Sequence, residues 1–396
     1  MPEISIYIFW ISIAILFYCY AGYALFVFLI NKAKQLFWSA PKSVSLSDWP
    51  AITLMVCAYN EKEILQKKIE NILALDYPSE KLSVIFVTDG TSDGSEQYIL
   101  RHPSFTLLHQ PERTGKYAAI KKGMKSVKTS LVVFSDANTM LNKESIKNIV
   151  THYKNEKVGG VAGEKRIQSD QKISAVGEAE GFYWKYESFM KKLDADLNTV
   201  VGAAGELFSI RTDLYDPPAG DIILDDFIIS MNVCLKGYKI EYEPGAYATE
   251  NASASLQQEM KRKLRISAGA YQSIGYLKRS LNFFKYPVLA FQYISRRLLR
   301  WMVCPLMLPV LFISNLIIIK DNSVPDFYTW IFLCQIVFYL FAIPGWWLVS
   351  RGKRSGIAVV PFYFVFMNYC LVAGFLRFLK KSQSVLWEKS VRQNVG

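Results

Sequence analysis

The distribution of apolar residues constrains this chain more than any other feature. Residues 4–30 contain no charged side chain, and three further apolar stretches, 302–319, 327–350 and 355–376, lie near the other end. A helix needs about 20 apolar residues to cross the hydrocarbon core of a bilayer, so each stretch is compatible with a membrane span. The sequence therefore predicts a membrane protein with one large water-facing domain at 31–282.

The N-terminal stretch, 1–30, is predicted to be a retained transmembrane helix. A signal peptide would have a basic start and a shorter apolar run, whereas this chain starts with Met1-Pro2-Glu3. Lys32 and Lys34 follow the stretch directly, and basic flanks favour the cytoplasmic side. We therefore expect a multi-pass protein of the cell inner membrane whose large domain is cytoplasmic.

The C-terminal third allows more than one arrangement. Residues 283–301 mix basic with aromatic and aliphatic residues, which predicts an interfacial amphipathic helix, with an amphipathic core helix as the alternative. Residues 302–376 are predicted to form transmembrane helices, and 377–396 a basic tail. Basic clusters at 351–354 and 377–381 flank the last apolar segment, and a single crossing cannot place both in the cytoplasm. Either that segment is re-entrant or the tail departs from the usual charge rule.

Charge and residue usage exclude several kinds of site. Lys and Arg number 46 against 34 Asp and Glu, a net charge of +12, which suits a membrane surface rich in anionic lipid. No recognisable motif gathers that charge for nucleic acid, so no nucleic-acid partner is expected. None of the six cysteines lies in a Cys-x-x-Cys pair, and the three histidines are scattered. Neither a zinc site nor histidine catalysis is therefore expected.

The middle of the chain alternates apolar runs typical of strands with patterns typical of helices. Strands are predicted at 51–58, 82–88 and 130–135, with helices between and after them. This alternation predicts an α/β fold with a parallel sheet covered by helices on both faces. No G-x-G-x-x-G follows the first strand and no P-loop lysine motif occurs, which disfavours dinucleotide dehydrogenases and P-loop NTPases.

Polar residues follow each of the three predicted strands. They are Tyr59-Asn60-Glu61, Asp89-Gly90 and Asp136-Ala137-Asn138, and ligands bind beyond the carboxyl ends of the strands in such sheets. Any one of these clusters could be an ordinary turn, but three at one edge support one another. Asp136 and Asn138 are two residues apart, so their side chains point to the same side of an extended segment. Their oxygens suit a hard cation held between the protein and a diphosphate.

Two further aspartate pairs stand out. Asp225 and Asp226 begin an apolar helical stretch, where they are either a catalytic pair or a charge pair favoured by the helix dipole. Asp194-Ala195-Asp196 has the complete Asp-x-Asp spelling, but it follows a helical run and no apolar strand precedes it. We therefore expect solvated side chains at Asp194 and Asp196, and no metal site.

The order of these motifs resembles the membrane-embedded family 2 glycosyltransferases, which include the cellulose, hyaluronan and poly-N-acetylglucosamine synthases. The resemblance covers about 52–265 and rests on Ala58-Tyr59-Asn60-Glu61, Asp89-Gly90, Ser92-Asp93-Gly94-Ser95, Gly115-Lys116, Asp136-x-Asn138, Asp225-Asp226, Arg262 and Arg265. It implies a GT-A fold, which is Rossmann-like, and a nucleotide-diphosphate sugar donor, usually a UDP-sugar. It also implies inversion at the anomeric carbon.

The same resemblance implies a role for each matching residue. The donor would be bound by Tyr59, Glu61, Asp89 and Lys116, and Mg²⁺ or Mn²⁺ by Asp136 and Asn138. Asp226 would be the general base, with Asp225 beside it where the family commonly has Glu, and Gly205-Glu206 would belong to the acceptor loop. Arg262 and Arg265 could bind diphosphate, because guanidinium groups suit phosphate. The alternative for this basic run is a solvated face near anionic lipid.

Two departures from the family pattern bear on function. Asn138 stands where a second Asp is usual, and no Trp occurs at 259–266, where the processive members carry Gln-x-x-Arg-Trp. The leading hypothesis is an inverting glycosyltransferase that extends a cell-envelope polysaccharide or exopolysaccharide. The missing Trp motivates a second hypothesis, a transferase that adds a single sugar to a polyprenyl-phosphate lipid carrier. Asn138 motivates a third, a membrane protein that binds a nucleotide sugar without turnover.

Overall fold

The structure is a computed structural model that describes residues 2–37, 48–168, 175–320, 326–353 and 356–386. It has an α/β domain and four long apolar helices. The end of the predicted basic tail lies outside the described residues, as does the first residue of the last predicted span.

The sheet is mixed, whereas the sequence predicts a parallel one. Its strands are β1 Ile52–Ala58, β2 Leu82–Asp89, β3 Phe105–Gln110, β4 Leu131–Asp136, β5 Met140–Leu141, β6 Val158–Ile167, β7 Leu207–Arg211 and β8 Lys239–Glu250. Their spatial order is β3-β2-β1-β4-β7-β6-β8-β5. The strands from β3 to β4 in this order are parallel, as expected. In the other half β6 and β8 are also parallel, but β7 is antiparallel to β4 and β6, and β5 is antiparallel to β8, so the expectation is wrong for β7 and β5.

The helices begin and end where local signals favour it. In chain order they are α1 Pro2–Phe17, α2 Tyr23–Phe37, α3 Lys62–Leu73, α4 Ser95–Leu100, α5 Lys116–Met124, α6 Ser145–Thr151, α7 Ala175–Leu197, α8 Asp225–Leu235, α9 Leu256–Tyr276, α10 Pro287–Tyr293, α11 Cys304–Ile318, α12 Asp326–Ser350 and α13 Val359–Leu379. Ser255 caps α9 by accepting a hydrogen bond from the Gln258 backbone N–H at 3.3 Å. Pro287 begins α10, where its missing N–H costs nothing.

Both faces of the sheet are packed, which is why the central strands read as continuous apolar runs. On β1, Met55 and Cys57 face one helical layer, whereas Leu54 and Val56 face the other. All seven residues of β1 are buried. Burial of each large aliphatic side chain contributes about 1.5–3 kcal/mol, so the sheet is a firm base for the loops at its carboxyl edge.

Within the part of the chain that the structure describes, four helical stretches are long and apolar enough to cross a membrane: Glu3–Phe37, Pro287–Ile318, Asp326–Ser350 and Gly356–Leu379. The second is continuous through a wider helical turn, Ile294–Val303. Arg296 in this turn is buried and pairs with Glu187 of α7 at 2.7 Å. Its charge therefore faces the α/β domain, although we expected the basic residues of 283–301 to face lipid headgroups.

The last apolar helix, α13, packs along α9 of the α/β domain. Near its start the hydroxyl group of Tyr363 donates to Glu259 Oε1 at 3.2 Å. Near its end the ring of Phe375 lies 4.9 Å from the ring of Tyr271. Both ends of α13 therefore contact the same helix of the domain. We keep the re-entrant alternative as a prediction, which this packing along a helix of the α/β domain supports.

Candidate active site

A cavity of about 500 Å³ opens at the carboxyl ends of β1 and β4 and is bounded by α7, α8 and α9, a size typical of ligand sites. It brings together the residues predicted for the donor and the metal, namely Tyr59, Glu61, Lys116, Asp136 and Asn138. It also contains the predicted acceptor loop, base pair and arginines, namely Gly205, Glu206, Asp225, Asp226, Arg262 and Arg265. Asp89 alone among the predicted site residues does not line it.

Lys116 and Asp136 form an ion pair inside this cavity. Asp136 ends β4 and Lys116 begins α5, and Lys116 Nζ lies 2.5 Å from Asp136 Oδ1 and 4.0 Å from Asp225 Oδ2. Burial acts to lower the pKa of Lys116, but the carboxylates of Asp136, Asp225 and Asp226 hold that pKa well above its ordinary value. The cavity therefore favours a positive charge at this position.

Asp136 and Asn138 fit a divalent cation that is shared with a bound diphosphate. Asp136 Oδ1 already holds a cationic group, the ammonium of Lys116. The amide oxygen of Asn138 accepts no hydrogen bond within the described ranges, although the amide nitrogen donates one. No cluster of three or more Asp, Glu, His or Cys among the described residues could hold a metal alone. Phosphate oxygens would complete the coordination, as is usual for Mg²⁺ at substrate sites.

Glu250, the last residue of β8, explains why residue 138 is an asparagine. Asn138 Nδ2 donates to Glu250 Oε1 at 3.1 Å. Glu250 also pairs with the buried Lys165, which bridges to Glu206 at 2.5 Å. An aspartate at 138 would bring two carboxylates into contact, which is unfavourable. Sequence reasoning missed Lys165 and Glu250 because no motif marks them.

Asp225 and Asp226 occupy the first turn of α8. Asp226 Oδ1 accepts a hydrogen bond from the Phe227 backbone N–H at 2.8 Å. Burial, followed by the adjacent Asp225 carboxylate, raises the pKa of Asp226 to about 7. A helix N-terminus by itself would lower that pKa, so burial and the adjacent carboxylate outweigh it here. A carboxyl group with a near-neutral pKa suits general-base catalysis at physiological pH.

The predicted acceptor loop approaches these aspartates so closely that it needs glycine. Gly202 has φ +85°, and a Cβ atom there would lie 2.0 Å from the Phe227 ring. A Cβ atom on Gly205 would lie 3.0 Å from Lys116 Nζ and 3.2 Å from Asp226 Oδ2. Beside it, burial opposes ionisation of Glu206, but Lys165 holds the pKa of Glu206 below its ordinary value. Glu206 is therefore an ionised partner of that lysine.

Asp89 has a different place from the one the family resemblance implies. It is fully buried. Its carboxylate accepts hydrogen bonds from Thr114 N at 2.7 Å, Thr114 Oγ1 at 3.0 Å and Gly115 N at 2.8 Å. Both carboxylate oxygens are thus used to hold the turn that leads into Lys116, which is why Asp89 does not face the cavity.

The two predicted arginines of α9 differ in what they bind. Arg262 Nη2 lies 2.7 Å from Glu180 Oε1 and its Nε lies 3.0 Å from Glu259 Oε2, and both carboxylates are buried. Arg265 Nε is buried with no hydrogen-bond partner in the described chain. Arg265 is therefore the arginine that is available for a diphosphate, whereas Arg262 is held by two acids. The alternative of a solvated basic face is wrong for both.

Lys68 is a buried lysine that the sequence analysis overlooks. It lies on the apolar face of α3 and is fully buried. Its ammonium donates to Ser135 Oγ at 2.8 Å and to the Thr139 carbonyl at 2.7 Å, so it braces the loop that carries Asp136. Burial lowers the pKa of Lys68 to about 7. Its burial could have been predicted from its position, because Lys68 lies on the apolar face of an amphipathic helix.

Asp194 does not have the solvated side chain that we expected. It is buried, and Tyr23 Oη donates to its Oδ1 at 2.7 Å. Arg296 Nε lies 3.3 Å from its other oxygen. Asp194 therefore links α7 to the apolar helices, and neither it nor Asp196 lines the cavity.

Comparisons with known proteins agree with this architecture. Residues 50–269 match the family described as glycosyltransferase like family 2. Poly-beta-1,6-N-acetyl-D-glucosamine synthase of Staphylococcus aureus (strain COL) is 27% identical over 241 residues, which are 58% of this chain and 57% of that protein. The synthase of the same name from Staphylococcus epidermidis is 26% identical over 233 residues, 56% of this chain and 55% of that protein. This chain thus matches little more than half the length of these curated relatives.

One solved structure resembles nearly the whole chain. It is the mannosyltransferase PcManGT from Pyrobaculum calidifontis in complex with GDP-Man and Mn²⁺, with a TM-score of 0.69 and 20% sequence identity. The similarity covers 94% of this chain and 99% of that one. At this identity the likeness concerns the fold, and it extends to the apolar helices as well as the α/β domain.

Proposed function

The chain belongs to the glycosyltransferase like family 2, and from that premise we propose that it transfers a sugar from a nucleotide-diphosphate sugar, with inversion, at the cytoplasmic face of the inner membrane. The fold is of the GT-A type and the chain is a membrane protein with four candidate spans. A UDP-sugar is the proposed donor. The name of the curated relatives supports a growing cell-envelope polysaccharide as the acceptor.

The observation that carries this proposal is the pairing of two chemistries in one cavity. Asp136 and Asn138 offer oxygens for a cation, and Asp226 offers a carboxyl group whose pKa is about 7. Lys116 interacts with the carboxylates on both sides. The cavity could therefore stabilise a leaving diphosphate and deprotonate an incoming hydroxyl group in the same step.

In the proposed reaction, the acceptor oxygen bonds to the anomeric carbon while the bond between that carbon and the diphosphate breaks. Asp226 takes the proton of the acceptor hydroxyl group. Lys116 and Arg265 bind oxygens of the diphosphate, because charge-assisted hydrogen bonds to phosphate are strong. The Mn²⁺ in the solved relative supports a divalent metal, which when bound would neutralise charge on the leaving diphosphate.

The test is release of nucleoside diphosphate by the purified full chain with Mn²⁺ or Mg²⁺ and a panel of UDP- and GDP-sugars. Asp226→Asn should lower the rate about 10²- to 10⁴-fold, the usual contribution of a general base. Asp213→Asn is the matched control, since Asp213 is exposed and does not line the cavity. Normal turnover by Asp226→Asn would remove Asp226 as the base. No release from any donor would refute the proposed function.

A second candidate acceptor is a polyprenyl-phosphate lipid that receives a single sugar. The absence of Trp from 259–266 favours it, and product length separates the two candidates. A non-catalytic nucleotide-sugar binder was motivated by Asn138, and the hydrogen bond from Asn138 to Glu250 now accounts for that residue.

A further inference from the structure

The cavity has a wall formed by charged residues where the α/β domain meets the apolar helices. We call it the membrane-side cluster, and it consists of Glu187, Lys191 and Asp194 of α7 with Arg296, Arg297 and Arg300 of the turn Ile294–Val303. Glu187, Lys191 and Arg297 line the same cavity as Asp226. The three residues from α7 lie three or four positions apart, so they share one face of that helix.

Positive charge exceeds negative charge in this cluster. Glu187 contacts all three arginines, with Arg296 at 2.7 Å, Arg300 at 3.0 Å and Arg297 at 3.5 Å. Asp194 contacts Arg296 at 3.3 Å. Two carboxylates therefore face four cations once Lys191 is included, and the cluster carries a net charge of +2.

Lys191 is the clearest indication that this positively charged cluster can bind an anion. Its side chain is only 3% exposed, and its ammonium has no hydrogen bond or ion pair to any residue that the structure describes. Its named contacts are the rings of Trp184 at 6.0 Å and Tyr242 at 5.9 Å. A buried charge without a partner is costly. Burial lowers the pKa of Lys191, while Glu206 and Glu187 act in the opposite direction.

Two more donors lie along the same wall. Trp184 Nε1 is buried without a hydrogen-bond partner in the described chain, and Trp184 lines the cavity. Arg297 donates to the Val201 carbonyl from Nε at 3.1 Å and from Nη2 at 2.9 Å, and its side chain lines the cavity. Three donors with an excess of two positive charges are suited to an oxyanion that carries about two negative charges.

On the basis of the proposed glycosyltransferase function with its second candidate acceptor, we propose that the membrane-side cluster binds the phosphate group of a polyprenyl-phosphate lipid, with Lys191 and Arg297 as its main ligands. A phosphate monoester carries about −1.5 to −2 charge at pH 7 and three acceptor oxygens, which matches the wall better than a singly charged carboxylate does. The turn that carries Arg297 continues into the apolar helix ending at Ile318. A lipid tail can therefore lie along that helix while its phosphate group enters the cavity.

The donor diphosphate is the other phosphate that the cavity would receive, and it has its own partners. Lys116 pairs with Asp136 on the sheet edge, and Arg265 has an unpaired Nε on α9. These groups lie on elements other than α7 and the turn Ile294–Val303. The membrane-side cluster is thus a second anion site in the cavity that also contains Asp226.

The test measures binding of farnesyl monophosphate to the full chain in nanodiscs of phosphatidylcholine, with farnesol as the uncharged probe. We expect farnesyl monophosphate to bind at least tenfold more tightly than farnesol. Lys191→Gln should remove most of this difference, and Lys191→Arg should restore it. Lys192→Gln is the matched control, because Lys192 is the neighbouring residue of α7 but is exposed, and it should bind like the wild type.

Thermal unfolding distinguishes a role of Lys191 in phosphate binding from a structural role. Removal of an unpaired buried charge should leave the Tm of the ligand-free protein unchanged or raised in Lys191→Gln, whereas a structural lysine would give a lower Tm and contradict the proposal. Equal binding of farnesyl monophosphate and farnesol would overturn it as well. If inorganic phosphate bound as tightly as farnesyl monophosphate, the lipid-linked source would be wrong.

The same nanodiscs report on the proposed function independently. Nucleoside diphosphate release without phosphate-dependent lipid binding would refute this inference alone, and absence of release from every donor would refute the function. An increase in the KM for the nucleotide sugar in Lys191→Gln, with lipid binding unchanged, would assign Lys191 to the donor and overturn the acceptor site.

Discussion

Replacement of Asn138 by Asp restores the usual Asp-x-Asp spelling, yet we expect it to destabilise this protein. Asn138 Nδ2 donates to Glu250 Oε1 at 3.1 Å. At that distance two unit charges repel by about 5 kcal/mol with an effective dielectric constant of 20. The variant can avoid this repulsion by sharing one proton between the two carboxyl groups, as closely paired acids do.

Proton uptake sets the size and the pH dependence of the loss. Protonation at pH 7 of a carboxyl group with an ordinary pKa near 4 costs about 4 kcal/mol, at 1.36 kcal/mol per pH unit. The folded Asn138→Asp protein binds more protons than its unfolded chain, so its stability relative to the wild type falls as pH rises. The difference should be largest at pH 7 and above, and it should nearly vanish by pH 4.

Thermal unfolding of the purified protein in EDTA is the assay, because a bound metal would mask the repulsion. A loss of 4 kcal/mol lowers the Tm by roughly 8–16 °C for a domain of this size. Asn138→Asp combined with Glu250→Gln should recover most of that loss, since a neutral amide can again hydrogen-bond to a carboxylate. If Asn138→Asp were as stable as the wild type at pH 7 in EDTA, the contact with Glu250 could not be the reason for the asparagine.

Three further predictions concern the base, the buried lysine and the tail. If Asp226 is the base and its pKa is about 7, kcat/KM should rise with pH up to about 7 and then level off. Asp225→Asn should shift the midpoint of this profile to lower pH, because it removes the adjacent negative charge. An unshifted profile would contradict the effect of Asp225 on the pKa of Asp226. Because the folded pKa of Lys68 is about 7 and so below its ordinary value, the unfolded chain binds more protons between pH 7 and 9. The wild type should therefore gain roughly 2.3 kcal/mol relative to Lys68→Met over that range in denaturant unfolding, and a constant difference would disprove the shift. A cysteine introduced at Ser382, just after α13, should react with an impermeant thiol reagent from the same membrane side as the α/β domain, and labelling from the opposite side would show that α13 crosses.

Some of the site could be predicted from the sequence because a buried strand is an apolar run, and the polar residues directly after it mark its carboxyl end. The apolar runs before Asp136 and Tyr59 identified β4 and β1, and the family resemblance supplied the remaining motif order. These residues meet in one cavity because parallel neighbours in the sheet present their carboxyl ends at one edge. The roles of the predicted residues in donor, metal and acceptor binding stay predictions.

Other parts of the site could not be predicted, because they depend on contacts between distant segments. Nothing around Asp89 indicates that backbone N–H groups of the turn at 114–115 would take up both of its oxygens. Likewise, Lys165 and Glu250 lie on β6 and β8 at positions that no motif marks, and their pairing becomes visible only once these two strands lie side by side. A buried charge is stable only where an oppositely charged or hydrogen-bonding group lies beside it in space. Sequence periodicity does not indicate which distant residue supplies that group.

The apolar helix α13 shows the same principle for the membrane. Hydropathy indicates whether a helix is stable in an apolar environment, and it does not distinguish a lipid environment from a protein interior. A Cβ atom on Gly374 would lie 2.4 Å from the Cβ of Ser267 on α9, so the two helices approach as closely as their small residues allow. Tyr363 also needs Glu259 of α9 as a partner for its hydroxyl group. A helix with such specific polar and close-packed contacts packs against protein along this face, and hydropathy alone does not predict those contacts.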